Sequence, residues 1–225
     1  MRLPVYSPQL KDSAPSIKRA LLMGNSGVFS LAHAWTASYL ARGQNVFLLD
    51  CAIRFQMDTM VHLLPQPLEH YLRKLVVQRA FTPYQILDAV QKLHQRSRPY
   101  DLHVILAPAK QFFDGDVGDQ ECGYLLGILA KKLYHLPAST KIIVVEKDQY
   151  SHAQFPRFSH RLQQAMSQFW YLSQGKELIY KPKKIQNQGE HHGQNHSTLF
   201  STTRTYQKSI PRLSQGFKKR RPASL

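Results

Sequence analysis

The residues from Gly24 to Leu31, Gly-Asn-Ser-Gly-Val-Phe-Ser-Leu, leave the apolar run RALLMG (19–24) and open a helical pattern. In α/β nucleotide-binding domains a phosphate-binding loop sits at this position, where glycines let backbone N–H groups turn onto phosphate oxygens at a helix N-terminus. A working loop reads GxxxxGK[ST], its lysine reaching the β and γ phosphates and its hydroxyl holding Mg²⁺. Aligned from Gly24, the second glycine is Phe29, the lysine is Ser30 and the hydroxyl is Leu31. Gly24, Asn25, Ser26, Gly27 and Ser30 therefore read as a relict nucleotide loop. It can still turn the chain onto its helix, and its backbone N–H groups from Gly24 to Val28 are the remaining hold on ATP. Phe29 would fill the phosphate space, so no cofactor is expected.

A second stretch with chemical potential is DQYSHAQFPRFSHR (148–161), which interleaves Tyr150, Phe155 and Phe158 with His152, Arg157, His160 and Arg161. Aromatic faces that stack on unpaired bases, beside cations that meet the backbone, make a sequence-tolerant single-strand site. The competing reading packs Phe155 and Phe158 against the sheet. At the far end Lys218, Lys219, Arg220 and Arg221 form a basic cluster of the kind found in nucleic-acid arms, docking tails and nuclear import signals. His191, His192 and His196 have metal-like spacing, but no cysteine or acid cluster completes a site, and no metal is expected. His33, Trp35 and Tyr39 read as packing. No Ser-His-Asp or Cys-His arrangement suggests itself.

The elements that must position these residues follow from pattern. Short apolar runs at 19–24, 45–50, 102–107 and 141–146 alternate with helical spacing at about 31–41, 68–78, 83–95, 119–135 and 157–168. Continuous apolar strands separated by helices indicate a parallel sheet covered on both faces. QFWYLS and ELIYKP, within 168–182 and separated by Gln174-Gly175, read as an antiparallel hairpin at the sheet edge.

With 225 residues, 43% of them hydrophobic, one core is expected. The 30 Lys and Arg outnumber 14 Asp and Glu, for a net +16, which favours acidic partners. The excess is uneven. Residues 181–225 hold ten Lys or Arg against one acid, Glu190, in a background of Gln, Asn, His, Ser, Thr and Gly, so 183–225 read as a disordered basic tail. Cys51 and Cys122 stand far apart and read as reduced core residues. Neither a leader nor an apolar run of membrane-spanning length is evident, and the expected location is cytoplasmic.

In order and spacing, NVFLLDCAIRFQ, LRKLVVQRAFTPYQILDAVQKL, YDLHVILAPAK and STKIIVVEKDQ resemble the ATPase core of RecA-like recombinases, the archaeal and eukaryotic branch above all. The likeness is most specific over 76–90 and spans 15–182. It implies a three-layer RecA-like P-loop fold over 1–182, followed by the tail. It also exposes what is missing. Where the family has its water-activating glutamate stands Ala52; where it has the metal-binding acid stands Leu106 or the neighbouring Ala107; where it has the γ-phosphate-sensing glutamine stands Glu146 or Lys147, depending on a one-residue shift. Phosphoryl transfer relies on charge stabilisation and a positioned nucleophile, and the chain lacks both sets, so no ATP hydrolysis is expected.

By the same resemblance, the loops after the third and fourth family strands touch DNA. The first, 110–121, carries Asp114, Asp116, Asp119 and Glu121 and should repel phosphate. The expected function is non-catalytic: binding single-stranded DNA, a recombinase or other repair partner, or further copies of itself, in recombination, repair or the DNA-damage response, at the nucleoid or in a eukaryotic nucleus. Two rivals stand beside it. One is an ATP-binding or weakly hydrolysing member using Lys110, Lys147 or Arg54. The other is a protein-interaction module with no DNA contact.

Overall fold

The computed structural model describes residues 14–93, 100–113, 117–173 and 177–182. The chain runs β1 (Arg19–Gly24), α1 (Val28–Ala41), β2 (Val46–Asp50), α2 (Met57–Leu63), α3 (Leu68–Leu72), β3 (Leu75–Arg79) and α4 (Pro83–Gln91). It continues with β4 (Leu102–Leu106), α5 (Ala109–Phe113), α6 (Asp119–Tyr134), β5 (Ile142–Lys147), α7 (Phe155–Ala165), β6 (Gln168–Ser173) and β7 (Glu177–Pro182). The strands form one sheet in the order β3-β2-β4-β5-β1-β6-β7. Every neighbouring pair is parallel except β6 with β7. The expected α/β class, mostly parallel sheet and terminal antiparallel hairpin are all present.

Burial explains the sequence pattern. Successive strand side chains point to opposite faces, so strands covered on both sides must be apolar throughout. Phe47 and Leu49 of β2 face one core with Leu21 and Met23, closed by α4, α6 and α7; Leu48 faces the other with Leu22 and Val104, closed by α1 and α2. Helix α1 is buried nearly all round, because α2 and α3 pack on its outer side. Its Thr36 hydroxyl is satisfied by the Ala32 carbonyl at 2.8 Å.

Three segments depart from expectation. The helical spacing at 68–78 belongs to a short helix, α3, and then to strand β3, which pairs in parallel with β2 and leaves Val76 and Val77 39% and 36% exposed. Two adjacent β-branched valines favour the extended chain over a continued helix. Helix α5 stands inside what reads as a loop. Helix α7 begins at Phe155, two residues early. Among the described residues, no helix is long and apolar enough to cross a membrane.

Gly24 has a reason unconnected with phosphate. It lies opposite Leu172 in the β1–β6 pairing, and a Cβ there would sit 2.6 Å from the Leu172 carbonyl oxygen and 3.0 Å from its Cβ. The obstacle is backbone and cannot swing away. Gly24→Ala is expected to cost about 1–3 kcal/mol through forced separation of the two strands, measured by urea unfolding.

Candidate functional site

The carboxyl ends of parallel strands are where ligands bind in open α/β sheets, and here they gather the relict loop, Asp50 and Glu146. After Gly24, Asn25 and Ser26 are exposed and Gly27 takes φ 72, a left-handed turn that starts α1 without a side-chain cap. The helix begins when the Leu31 N–H donates to the Gly27 carbonyl at 2.9 Å. The next turn is bound to the protein's own groups. His33 is neutral in this arrangement: its Nδ1–H donates to the Phe29 carbonyl at 2.6 Å, while Nε2 accepts the Gln56 N–H at 3.1 Å. Burial lowers its pKa, and its ring stacks on Phe55. The Arg54 guanidinium lies 5.5 Å from the centre of the half-buried Phe29 ring.

Both acids are turned inward. Asp50, 1% exposed at the end of β2, accepts N–H bonds from Ala52 (3.3 Å), Arg54 (2.8 Å) and Phe55 (3.1 Å), with Arg79 Nε 4.0 Å away. This fastening shapes the turn into α2 and holds Ile53 at φ 53, a left-handed conformation costly for a β-branched residue. Glu146, fully buried at the end of β5, accepts the Ala109 and Lys147 N–H groups at 2.8 Å each. It thereby fixes the start of α5, just after Ala107 at φ 48. Burial pushes the Glu146 pKa up to about 7, against the opposing pull of the Ala109 and Lys147 N–H groups and of the Arg54 and Lys147 charges. A general base needs a carboxylate oxygen directed at the proton it takes. These two carboxylates are directed at the backbone.

The stretch 148–161 proves to be mostly packing. Helix α7 is amphipathic, and Phe155, Phe158, Leu162 and Ala165 fall on its buried face. Phe155 and Phe158, at 4% and 1% exposure, face the core, so stacking of bases on their rings is withdrawn. Tyr150 packs against Phe113 and Phe155, and His152 stacks on Phe113 at 4.3 Å while its Nε2 lies 3.3 Å from Asp119. Arg161 donates to the Gly123 carbonyl at 3.2 Å. Of the seven residues named in this stretch, Arg157 and His160 are exposed. The acids expected in a repelling loop are partly helical: Asp119 and Glu121 occupy the first turn of α6, where the helix dipole favours them, and Glu121 accepts the Tyr84 hydroxyl. Asp114 and Asp116 lie outside the described residues. So do Lys218, Lys219, Arg220, Arg221, the three tail histidines and the expected disorder of 183–225.

A feature not anticipated from sequence is a cleft of about 580 Å³ between α7 and β6, lined by residues that include Ser159, His160, Gln163, Phe169 and Tyr171. Its signal was present in QFWYLS, whose alternate residues 169 and 171 must share one face of the strand. No group of three or more potential metal ligands occurs among the described residues. Against models of known protein families and against curated proteins, the chain finds no match.

Two outcomes follow from the turned-in acids. Because the folded-state pKa of Glu146 is raised, the folded protein binds the extra proton between about pH 4.5 and 7, and the stability it contributes is full below that window and lost as pH rises through 7. Stability should fall by about 3 kcal/mol across the window through this group. Glu146→Gln should flatten that slope in urea titrations at successive pH values. Ile53→Asn should stabilise the protein by about 1 kcal/mol, since Ile53 is 66% exposed and Asn tolerates the left-handed conformation.

Proposed function

We propose that the chain is a non-enzymatic binding protein, a RecA-like frame without ATPase chemistry. It associates with single-stranded DNA and with a recombinase-type or other repair partner in recombination, repair or the response to DNA damage. The carrying observation is the state of the carboxyl edge: Phe29, Ser30 and Leu31 replace the phosphate-loop groups, and Asp50 and Glu146 spend their oxygens on backbone N–H donors. A frame can keep its surfaces after its chemistry is gone.

Two surfaces support the binding role. The tail, with nine Lys or Arg over 183–225, supplies charge for the nucleic-acid backbone without choosing a sequence, and Arg157 adds a cation on the body. The edge strand β3 presents Val76 and Val77, near exposed Phe81 and Tyr84, beside a row of backbone groups able to take up another strand. That edge is the protein-partner surface in this reading.

The test is a salt series of single-stranded DNA binding by the full chain and by a variant with Lys218, Lys219, Arg220 and Arg221 all changed to Ala. The slope of log affinity against log salt should drop by about 3 in the variant, at roughly 0.7 per lost phosphate contact. ATP with Mg²⁺ should be left intact by either protein. An unchanged slope removes the tail from the binding model, and ATP turnover that Glu146→Gln abolishes overturns the non-enzymatic reading.

A further inference from the structure

We infer that the groove between α6 and α7 is a track for single-stranded DNA, with tyrosines that stack on bases and cations that meet the backbone. Each helix links one parallel strand to the next, so the two run in the same direction, and a groove of about 440 Å³ lies between them. Gly127, Lys131, Tyr134 and Arg161 are among the residues that line it. Positions 124, 127, 131 and 134 share one side of a helix, so Tyr124 continues the line of Lys131 and Tyr134 toward the N-terminus of α6. From Tyr124 to Tyr134 is about 15 Å at 1.5 Å per residue. Both tyrosines are exposed, at 70% and 56%, and neither joins a core cluster.

Charge and geometry select the ligand. Helix α7 carries Arg157, His160 and Arg161 and no acid. Arg161 crosses the groove beside Gly127, where a Cβ would lie 3.1 Å from its Nη1, and donates to the Gly123 carbonyl at 3.2 Å. A guanidinium has five N–H donors, so this bond positions the group and leaves others for phosphate oxygens. Arg157 stands one turn earlier, toward the Tyr124 end, and is exposed, as is Lys131 on α6. Among the described residues, neither forms an ion pair with an acid. At the far end the Arg19 guanidinium donates to the Tyr134 carbonyl at 2.6 Å and lies 6.0 Å from the centre of its ring, which sets a further cation beside the line. The two acids of α6 are bound away from the groove: Glu121 accepts the Tyr84 hydroxyl of α4, and Asp119 lies 3.3 Å from His152. An acidic protein surface would satisfy the cations alone. A strand with free base faces and a charged backbone satisfies cations and exposed rings together, and a duplex, whose bases already stack on one another, does not.

The track rests on the single-stranded DNA reading proposed above and adds to it a site on the folded body, independent of residues 183–225. The probes are an oligothymidylate carrying iododeoxyuridine, an abasic oligomer of equal length and polyglutamate, each added to the full chain. Ultraviolet cross-linking to the unaltered protein, mapped by mass spectrometry, should place the iodinated base on Tyr124 or Tyr134. Tyr124→Leu, an exposed change, should weaken oligothymidylate about tenfold and leave the abasic oligomer unaffected. Arg157→Gln combined with Lys131→Gln should reduce the slope of log affinity against log salt by about 1.4, at roughly 0.7 per phosphate contact, with an unaltered melting curve. Wild-type affinity and slope in both body variants, with cross-links only outside α6 and α7, overturn the track while the proposed function stands on the tail. Equal weakening of polyglutamate and oligothymidylate by the two cation changes, with no effect of Tyr124→Leu, overturns it in favour of an acidic partner. Absence of oligothymidylate binding by the full chain at low salt overturns the track and the DNA-binding part of the proposed function together.

Discussion

A carboxylate buried beyond the reach of water must find donors inside the protein, and that requirement organises the carboxyl edge of this sheet. Glu146 is fully buried at the end of β5 and holds two N–H groups, one of which begins α5. Asp50 plays the matching part at the end of β2, gathering three N–H groups into one turn. Leaving either side chain unpaired would cost several kcal/mol, so the loops have little freedom to depart from these partners. The strained positions at Ile53 and Ala107 lie beside the two acids, where the surroundings over-determine the backbone. Architecture at this edge is therefore maintained by the residue types that elsewhere perform chemistry.

The central sheet was legible because burial on both faces leaves an unmistakable mark. NVFLLD, LHVILA and KIIVVE admit no polar alternation, and their spacing required crossover helices. The edges were less legible for the same reason. β3 has no cover comparable to that of β2, so its sequence carries Val76 and Val77 beside Gln78 and Arg79 without the continuous apolar signature, and the preceding LEHYL spacing ran on into it. At the site, the alignment of Phe29, Ser30 and Leu31 with the missing groups could be read directly. The fate of Glu146 could not, because it depends on the N–H of Ala109, 37 positions away in the chain.

The aromatic stretch 148–161 shows how composition can mislead about function. A string of aromatics and cations suggests an exposed stacking surface, yet the spacing of Phe155, Phe158 and Leu162 is also that of an amphipathic helix with its apolar side on a core. Phe112, Phe113, Phe155 and Phe158 join in one cluster between α5 and α7, with Tyr150 and His152 against it.

The same contrast bears on catalysis. An active carboxylate must exchange protons with a reacting group during each cycle, so its oxygens need access to substrate or to a water that touches it. Glu146 has the elevated pKa that often marks a general base, and on that property alone it would be a candidate. Its geometry decides otherwise. Burial, the cause of the shift, also seals the group from any reactant, and its oxygens are already engaged by Ala109 and Lys147. A perturbed acid that is closed to solvent and fastened at both oxygens is a structural tie, and its titration alters the stability of the edge rather than the rate of a reaction.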